Sequence, residues 1–362
     1  MPDVTAMGEL QRWRHNVDTN SESANRDVIV VGASAGGVEA TRRLAAALPA
    51  DLPATLFVVV HRGPDRPGYL AEILGAAGPL PAMVAEEGAP FVRGRIYVAP
   101  PDLHLLVGRD HVHVRRGPRE NCVRPAIDPL FRSAAVHCST RVVGVVLTGL
   151  LDDGTSGLQA IRRCGGVAVA QDPRDADFKD MPLSAVRHGA ADHVLALDRM
   201  PDLLSRLARG PRPPAVEPPA NLRMEALIAA QELSMDPDQK RLGELSPLTC
   251  PECHGSLYET HDGTFLRFRC HTGHAFTAEA LRSEQGKAWE RALYDALRAQ
   301  EEQAALLRRM AGAARQLGTA RQADDFALRA RSYEEGAQII RGLLSRANGE
   351  AEPEREPQGS AA

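Results

Sequence analysis

The sequence predicts an α/β fold: a doubly wound, mainly parallel sheet with an antiparallel hairpin, then a small zinc-ribbon-like module and an α-helical hairpin. Three observations predict it. Short runs rich in Val and Ile alternate with helical patterns from Asp27 to about Arg209, the layout of helices packed on both faces of a parallel sheet. A proline-dense stretch from Gly210 to Pro219 then changes the composition. Beyond it, cysteine and histidine cluster ahead of a long region of helical periodicity.

The expected strands are Val28–Val31, Thr55–Val60, Arg95–Ala99, Val142–Leu147, Val167–Gln171 and His193–Leu197. Their near-continuous apolar character suits strands buried on both faces. Helical patterns lie between several of them: Val38–Leu48, Tyr69–Ala77, Asp128–His137, Ser156–Cys164 and Leu183–His188. Leu103–Val107 and His111–Arg115 flank Gly108-Arg109-Asp110 and predict a hairpin beside the sheet. The proline-rich stretch reads as an extended, semi-rigid linker. Further on, Phe326, Ala330, Tyr333, Ala337, Ile340 and Leu344 form a heptad-like stripe. Trp289, Leu293, Ala296, Leu307 and Ala311 predict a preceding helix of the same habit, with Gly318 near the break. Such stripes mark packing, here of an antiparallel helical hairpin, rather than catalysis. The expected division is a disordered leader (1–26), a catalytic domain (27–208), a linker (209–245), a Cys/His module (246–277), a helical hairpin (278–348) and a disordered tail (349–362).

With 362 residues, 43% of them apolar, the chain is long enough for about two or three domains and a sizeable core. Its net charge of −4 gives no reason to expect a nucleic-acid partner. No run approaches the ~18 apolar residues of a membrane span, so membrane insertion is not expected. The N-terminal segment lacks the apolar centre of a signal peptide, and the expected location is cytoplasmic. Six cysteines are too few for a disulfide framework in a chain this long.

Gly32-Ala-Ser34-Ala-Gly36-Gly37 joins the first strand to the first helix. A dinucleotide-binding turn needs Gly-x-Gly-x-x-Gly and an acidic residue after the next strand. This turn has the wrong spacing, and the second strand ends in His61. A phosphate loop of the Gly-Lys-Ser/Thr type is absent as well. A serine at a strand-to-helix turn fits better as a nucleophile, with the helix N-terminus suited to a developing oxyanion. His61 directly follows the second strand, and Asp152 and Asp153 follow the strand that starts at Val142. Serine, histidine and aspartate thus fall at strand ends, where open α/β sheets gather catalytic groups. A weak serine nucleophile needs a base near neutral pKa, and the base needs an orienting carboxylate. Taken singly, the histidine reads as a loop residue and Asp-Asp-Gly as a turn; the coincidence of all three carries the reading.

Six motifs occur in order: Val-Gly-Ala-Ser-Ala-Gly-Gly, Val-Val-His-Arg, Tyr-Val-Ala-Pro-Pro-Asp-Leu-His, Arg-Pro-Ala-Ile-Asp-Pro-Leu-Phe, Leu-Thr-Gly-Leu-Leu-Asp-Asp-Gly-Thr-Ser-Gly and Met-Pro-Leu-Ser-Ala-Val. Over about residues 27–208 the chain resembles the catalytic domain of the chemotaxis protein-glutamate methylesterase (CheB) family. The resemblance implies hydrolysis of glutamate γ-methyl esters on chemoreceptors, often with deamidation of receptor glutamines, and no cofactor for catalysis. It places the nucleophile on Ser34, the general base on His61 and the orienting carboxylate on Asp153, and it leaves Asp152 out. It puts Met181-Pro182 and Arg124-Pro125 with Asp128 near the cleft. Three departures stand out. The usual threonine after the serine is Ala35, and a glycine before the acidic turn is Leu151. The receiver domain expected ahead of the catalytic domain has only about 26 residues in its place. A separate regulatory signalling protein is therefore an expected partner, beside the methylated receptor.

Cys250-Pro-Glu-Cys253 and Cys270-His-Thr-Gly-His274 have the spacing of a closed, structural tetrahedral zinc site. His274 is the preferred fourth ligand, with His271 and His254 as rivals; a reduced packing cluster is the plainer alternative. Two further functional readings stay open at this stage. A signalling adaptor would use a weakened esterase fold and bind through the module and helices. Nucleotide binding comes last, for the spacing reasons above.

Overall fold

In the computed structural model, which describes residues 24–63, 68–231, 243–262 and 265–349, the run Val28–Ala33 forms β1 with every residue buried. The leader, the middle of the linker and the tail fall mostly outside the described residues. Then follow α1 (Gly37–Ala47), β2 (Thr55–Val60), α2 (Leu70–Ala77), β3 (Ala82–Val84), β4 (Ile96–Val98), β5 (His104–Val107) and β6 (Val112–Arg115). Next come α3 (Ile127–Cys138), β7 (Val142–Val146), α4 (Thr155–Arg163), β8 (Val167–Gln171), α5 (Asp180–Arg187), β9 (His193–Leu195) and α6 (Met200–Arg209).

The sheet has seven strands in the order β3-β4-β2-β1-β7-β8-β9, and every pairing is parallel. Alternate residues of β1 serve opposite faces, as the two-residue period of a strand requires. Val28 and Val30 join Phe57, Val59, Leu130 and Phe131 in one core. Ile29 and Val31 join Leu44, Leu74 and Leu204 in the other. The expected hairpin is β5 with β6, a two-stranded antiparallel sheet of its own. β3 was not expected: it is three residues long, partly exposed and at the sheet edge, so it lacks the apolar signal of a buried strand.

The linker expected over 209–245 is corrected over its first part. Arg212 N–H donates to the Ala24 carbonyl at 3.0 Å, and the Thr140 hydroxyl donates to the Pro213 carbonyl at 3.0 Å. Val216 N–H donates to Ser139 Oγ at 2.9 Å. Proline lacks an N–H but keeps its carbonyl, so the stretch is tethered through acceptors. Ala220–Ala229 then forms α7, which buries Leu222 and Ala226 in the first core.

The Cys/His region forms a second, antiparallel sheet of β10 (Glu244–Thr249), β11 (Ser256–Asp262), β12 (Phe265–Cys270) and β13 (Ala275–Thr277). It belongs to the same compact unit as the large sheet, Met1–Leu281. Five buried charges join them: Arg132 on α3, Glu225 on α7, Glu120, and Arg267 and Arg269 on β12. Glu225 meets Arg267 at 2.6 Å and Arg269 at 3.1 Å, while Glu120 meets Arg132 and, at 3.1 Å, Arg269.

The second unit, Arg282–Ala362, contains most of α8 (Ala278–Gln316) and all of α9 (Ala320–Gly349). Ala304, Leu307, Ala311 and Ala314 are buried on α8, and Ala323, Ala330, Ala337 and Leu344 on α9. The pairs Arg308–Glu334, at 2.6 Å, and Arg341–Glu301 link the two helices. Phe326, Tyr333 and Ile340 of the expected stripe are half-buried. On α8 the stripe holds only toward its C-terminal half; Trp289 is 48% exposed and Ala296 is exposed. The helices differ in length, 39 residues against 30, so the earlier part of α8 outruns its neighbour.

Candidate active site

Strand order reverses at β1. The chain adds β2, β4 and β3 on one side and β7, β8 and β9 on the other. In open parallel sheets such a reversal opens a crevice at the carboxyl ends of the strands. Ser34 follows β1, His61 follows β2, and Thr148 to Asp153 lie just beyond β7, so all three sequence candidates reach this edge. Backbone bonds continue the ladder past the strands: Ser34 N–H donates to the Thr148 carbonyl at 3.0 Å and His61 N–H to the Ala33 carbonyl at 3.0 Å.

Glycine is required twice here. Gly36 precedes α1 at φ 72°, a left-handed conformation that a side chain disfavours. At Gly149 the space is already taken: a Cβ would lie 2.1 Å from Met181 Sδ and 2.8 Å from Ser34 Cβ. Met181, placed near the cleft by the resemblance, is thus packed against the serine's neighbour. Leu151 holds φ 61° without being glycine, a strain of order 1–3 kcal/mol in the loop that carries the acidic pair.

His61 lies between the other two. Its Nδ1 is 3.2 Å from Ser34 Oγ and its Nε2 is 2.7 Å from Asp153 Oδ2. A carboxylate accepts only, so Nε2 carries the proton toward Asp153 and leaves the Nδ1 lone pair facing the serine hydroxyl. The imidazole is 13% exposed and the carboxylate 3%, which keeps the contact nearly dry.

Asp153 is held by more than the histidine. Ile127 N–H donates to Oδ2 at 2.7 Å, Asp128 N–H to Oδ1 at 3.2 Å and Asn121 Nδ2 to Oδ1 at 3.0 Å. The first two are amides at the start of α3, where N–H groups lack intrahelical partners and the helix dipole favours a negative charge. Asp128 returns the arrangement to α4, accepting from Gly154 N–H at 3.1 Å and Gly157 N–H at 2.7 Å. Burial alone raises the Asp153 pKa, but the bonds from His61, Ile127 and Asn121 outweigh it and hold it below the ordinary value. Burial and then the Asp153 charge push Asp128 well up. Of the two acids, Asp153 is therefore the one whose surroundings favour the charged form. Sequence reasoning missed Asn121 altogether, because no spacing signal links it to a residue 32 positions away. Arg124, placed near the cleft by the resemblance, binds Asp102 and the Gly117 carbonyl.

Asp152 points away from the histidine, toward the Cys/His module, and accepts from the Thr277 hydroxyl at 2.6 Å. Burial, opposed by that bond and reinforced by Asp153, raises its pKa from 3.8 to about 6. An acid raised on folding contributes stability that is full below 3.8 and lost as pH rises through about 6. Asp152→Asn is therefore expected to be more stable than wild type at pH 7.5, by ~1–3 kcal/mol, and to lose that advantage near pH 4. Chemical melts at the two pH values check this; a gain of the same size at both would rule out the titration.

Cys250 Sγ, Cys253 Sγ, Cys270 Sγ and a His274 ring nitrogen all lie within 4.8 Å of one another. Tetrahedral zinc with Zn–S of about 2.3 Å requires ligand-to-ligand edges of roughly 3.5–3.8 Å. The observed edges are 3.6 Å for Cys253–Cys270, 3.7 Å for Cys250–His274 and 3.5 Å for Cys270–His274. The Thr272 hydroxyl donates to Cys253 Sγ at 3.2 Å, the kind of outer bond that orients thiolate ligands. The donor set and its spacing fit a structural metal. His271 and His254, the rival ligands, lie outside this cluster.

A family model described as CheB methylesterase matches residues 29–204. Protein-glutamate methylesterase/protein-glutamine glutaminase 2 of Methanosarcina mazei is 33% identical over 224 residues, which cover 57% of this chain and 61% of that protein's own length. A Leptospira interrogans relative, provisionally given the same paired name, is 38% identical over 184 residues, covering 51% of this chain and 95% of its own. The crystal structure of the Thermotoga maritima CheB methylesterase catalytic domain aligns at 31% identity and a TM-score of 0.48, covering 50% of this chain and 98% of that one. Ser34, His61 and Asp153 all fall within the matched segment, and by this near-complete coverage of a 38%-identical relative the chain belongs to the CheB methylesterase family.

Proposed function

We propose that residues 27–208 form a serine hydrolase that removes methyl groups from glutamate γ-methyl esters of chemoreceptor-type proteins and deamidates receptor glutamines. The observation that carries this reading is the continuous relay Ser34–His61–Asp153, at 3.2 and 2.7 Å. His61 Nδ1 takes the hydroxyl proton as Ser34 Oγ attacks the ester carbonyl. Asp153 stabilises the imidazolium that forms. N–H groups at the start of α1 suit the oxyanion of the tetrahedral intermediate. His61 then gives the proton to the departing methoxide, and methanol leaves an acyl-serine. Water, activated by the same imidazole, releases the glutamate. Ammonia replaces methanol when the substrate is glutamine.

Leu150, Leu151 and Phe178, on loops beside Ser34, are exposed and offer apolar contact to a protein substrate. The named activity of the Methanosarcina relative supports the same chemistry. The adaptor reading is not favoured, since the three residues a hydrolase needs are together. Methanol release from methylated receptor, wild type against Ser34→Ala, is the test.

The Cys/His cluster is proposed to hold one zinc per chain, with Cys250, Cys253, Cys270 and His274 as ligands. Metal analysis is expected to find one equivalent, and Cys250→Ser to lose it; full occupancy in that variant would exclude the ligand set. None of the six cysteines is in a disulfide, which suits a reducing compartment, and we propose the cytoplasm. Among the described residues, no helix is long and apolar enough to cross a membrane. Control by a separate signalling protein is likewise a proposal.

A further inference from the structure

The Cys/His module reaches the triad through one short strand. After Cys270 the chain turns at Thr272 to His274, with Gly273 N–H donating to the Cys270 carbonyl at 3.0 Å and Cys270 N–H to the His274 carbonyl at 2.9 Å. It returns as β13 and runs beside Asn121 instead of ending in solvent. Asn121 N–H donates to the Ala275 carbonyl at 2.8 Å, and Thr277 N–H donates to Asn121 Oδ1 at 2.9 Å. The other end of the same amide, Nδ2, donates to Asp153 Oδ1 at 3.0 Å. Accepting from a backbone N–H at one end fixes which end is the donor, so the amide has one orientation. Thr277 Oγ1 accepts from Ala280 N–H at 3.0 Å while donating to Asp152, so one threonine caps α8 and holds the acidic loop. Asn121 is 8% exposed, Asp153 3% and Thr277 1%. Arg269 of β12 holds Glu120, the residue before Asn121, so the module grips this stretch twice.

We propose that the Cys/His module is a metal-dependent buttress of the esterase triad: the metal closes the Cys270–His274 turn, the turn sets β13, β13 holds Asn121, and Asn121 holds Asp153. Asn121 is then a positioning residue. The inference rests on the reading of Ser34, His61 and Asp153 as the catalytic relay. Asp153 must present one oxygen to His61 Nε2, and the Asn121 bond to its other oxygen limits its rotation. When that bond loosens, the histidine spends less time with its Nδ1 lone pair on the serine. Misplacement of this kind reduces turnover without removing any reacting group.

The test uses the full chain and two readouts, the rate at which a fluorophosphonate labels Ser34 and the kinetics of p-nitrophenyl acetate hydrolysis. Asn121→Gly keeps the left-handed backbone of this residue, φ 50°, and removes the amide. It is expected to lower kcat and labelling about 10- to 100-fold with KM unchanged. Stripping the metal from wild type with a chelator is expected to slow labelling to a similar extent, with recovery on adding zinc. The decisive arm combines the two. Stripping Asn121→Gly should add less than about threefold, because both changes act through one contact. Multiplying effects would show that the module acts by general destabilisation and would overturn the buttress. So would a wild type that, stripped or purified without metal, labels at the full rate; this arm decides even if Asn121→Gly does not fold. A wild type in which Ser34 is not labelled at all would instead overturn the esterase reading, and this inference with it.

Discussion

Ser34→Ala is expected to reduce methyl-ester turnover by roughly 10⁴- to 10⁶-fold, and His61→Ala by a comparable factor. The double variant should be worse than either single by no more than about threefold, because a relay that has lost one member gains nothing from the other. The basis is geometric. His61 touches both the serine hydroxyl and the buried carboxylate. Purified variants assayed for methanol release, with circular dichroism to verify folding, give the measurement. Near-wild-type hydrolysis by Ser34→Ala would place the chemistry elsewhere, and independent, multiplying losses would break the idea of a single unit.

Glu225→Ala is expected to cost about 3–5 kcal/mol of stability, a fall in Tm of roughly 10 °C. Burial opposes the charge of Glu225, but Arg267, Arg132 and Arg269 hold its carboxyl far below the ordinary range. Removing it takes from Arg267, Arg132 and Arg269 the carboxylate they share, and an uncompensated buried charge is costlier than the pair was worth. Sign and pH follow from the depressed pKa. The contribution is present above the unfolded carboxyl value, about 4.3, and is lost as pH falls toward the folded one. Scanning calorimetry at pH 7 tests it; a Tm change of less than about 3 °C would mean that water enters the network and solvates the arginines.

The large sheet was legible because its inner strands are buried on both faces, so each writes a continuous apolar run such as Val142–Val146. The three-residue edge strand β3 writes no such run. The helix Ala220–Ala229 was overlooked because the prolines before it mark a linker by composition, whereas their carbonyls are used as acceptors. Ser34, His61 and Asp153 could be proposed because each lies just past an apolar run, and the Cys/His cluster because its residues sit in two close sequence pairs. Asn121 and Thr277 carry no such mark. Their partners are 32 and 125 residues away, and only folding brings them together.

The sequence by itself determined the parallel sheet, the edge at which the serine, histidine and aspartate lie, and the three cysteines of the Cys/His cluster, with His274 as the preferred fourth member. These follow from local regularities: apolar period, turn chemistry and ligand spacing. The pattern of the residues alone does not say which carboxylate faces the histidine, since Asp152 and Asp153 are adjacent and chemically alike; the resemblance pointed to Asp153, and the tertiary structure turns Asp153 to the histidine and Asp152 to Thr277. How far each acid's surroundings favour or oppose its charge was decided only by tertiary structure. It depends on the amides at the start of α3, on how deeply each acid is buried, and on an asparagine held by a strand 156 residues further along the chain. Hydrogen-bond partners and desolvation are properties of the packed chain, and no local pattern encodes them.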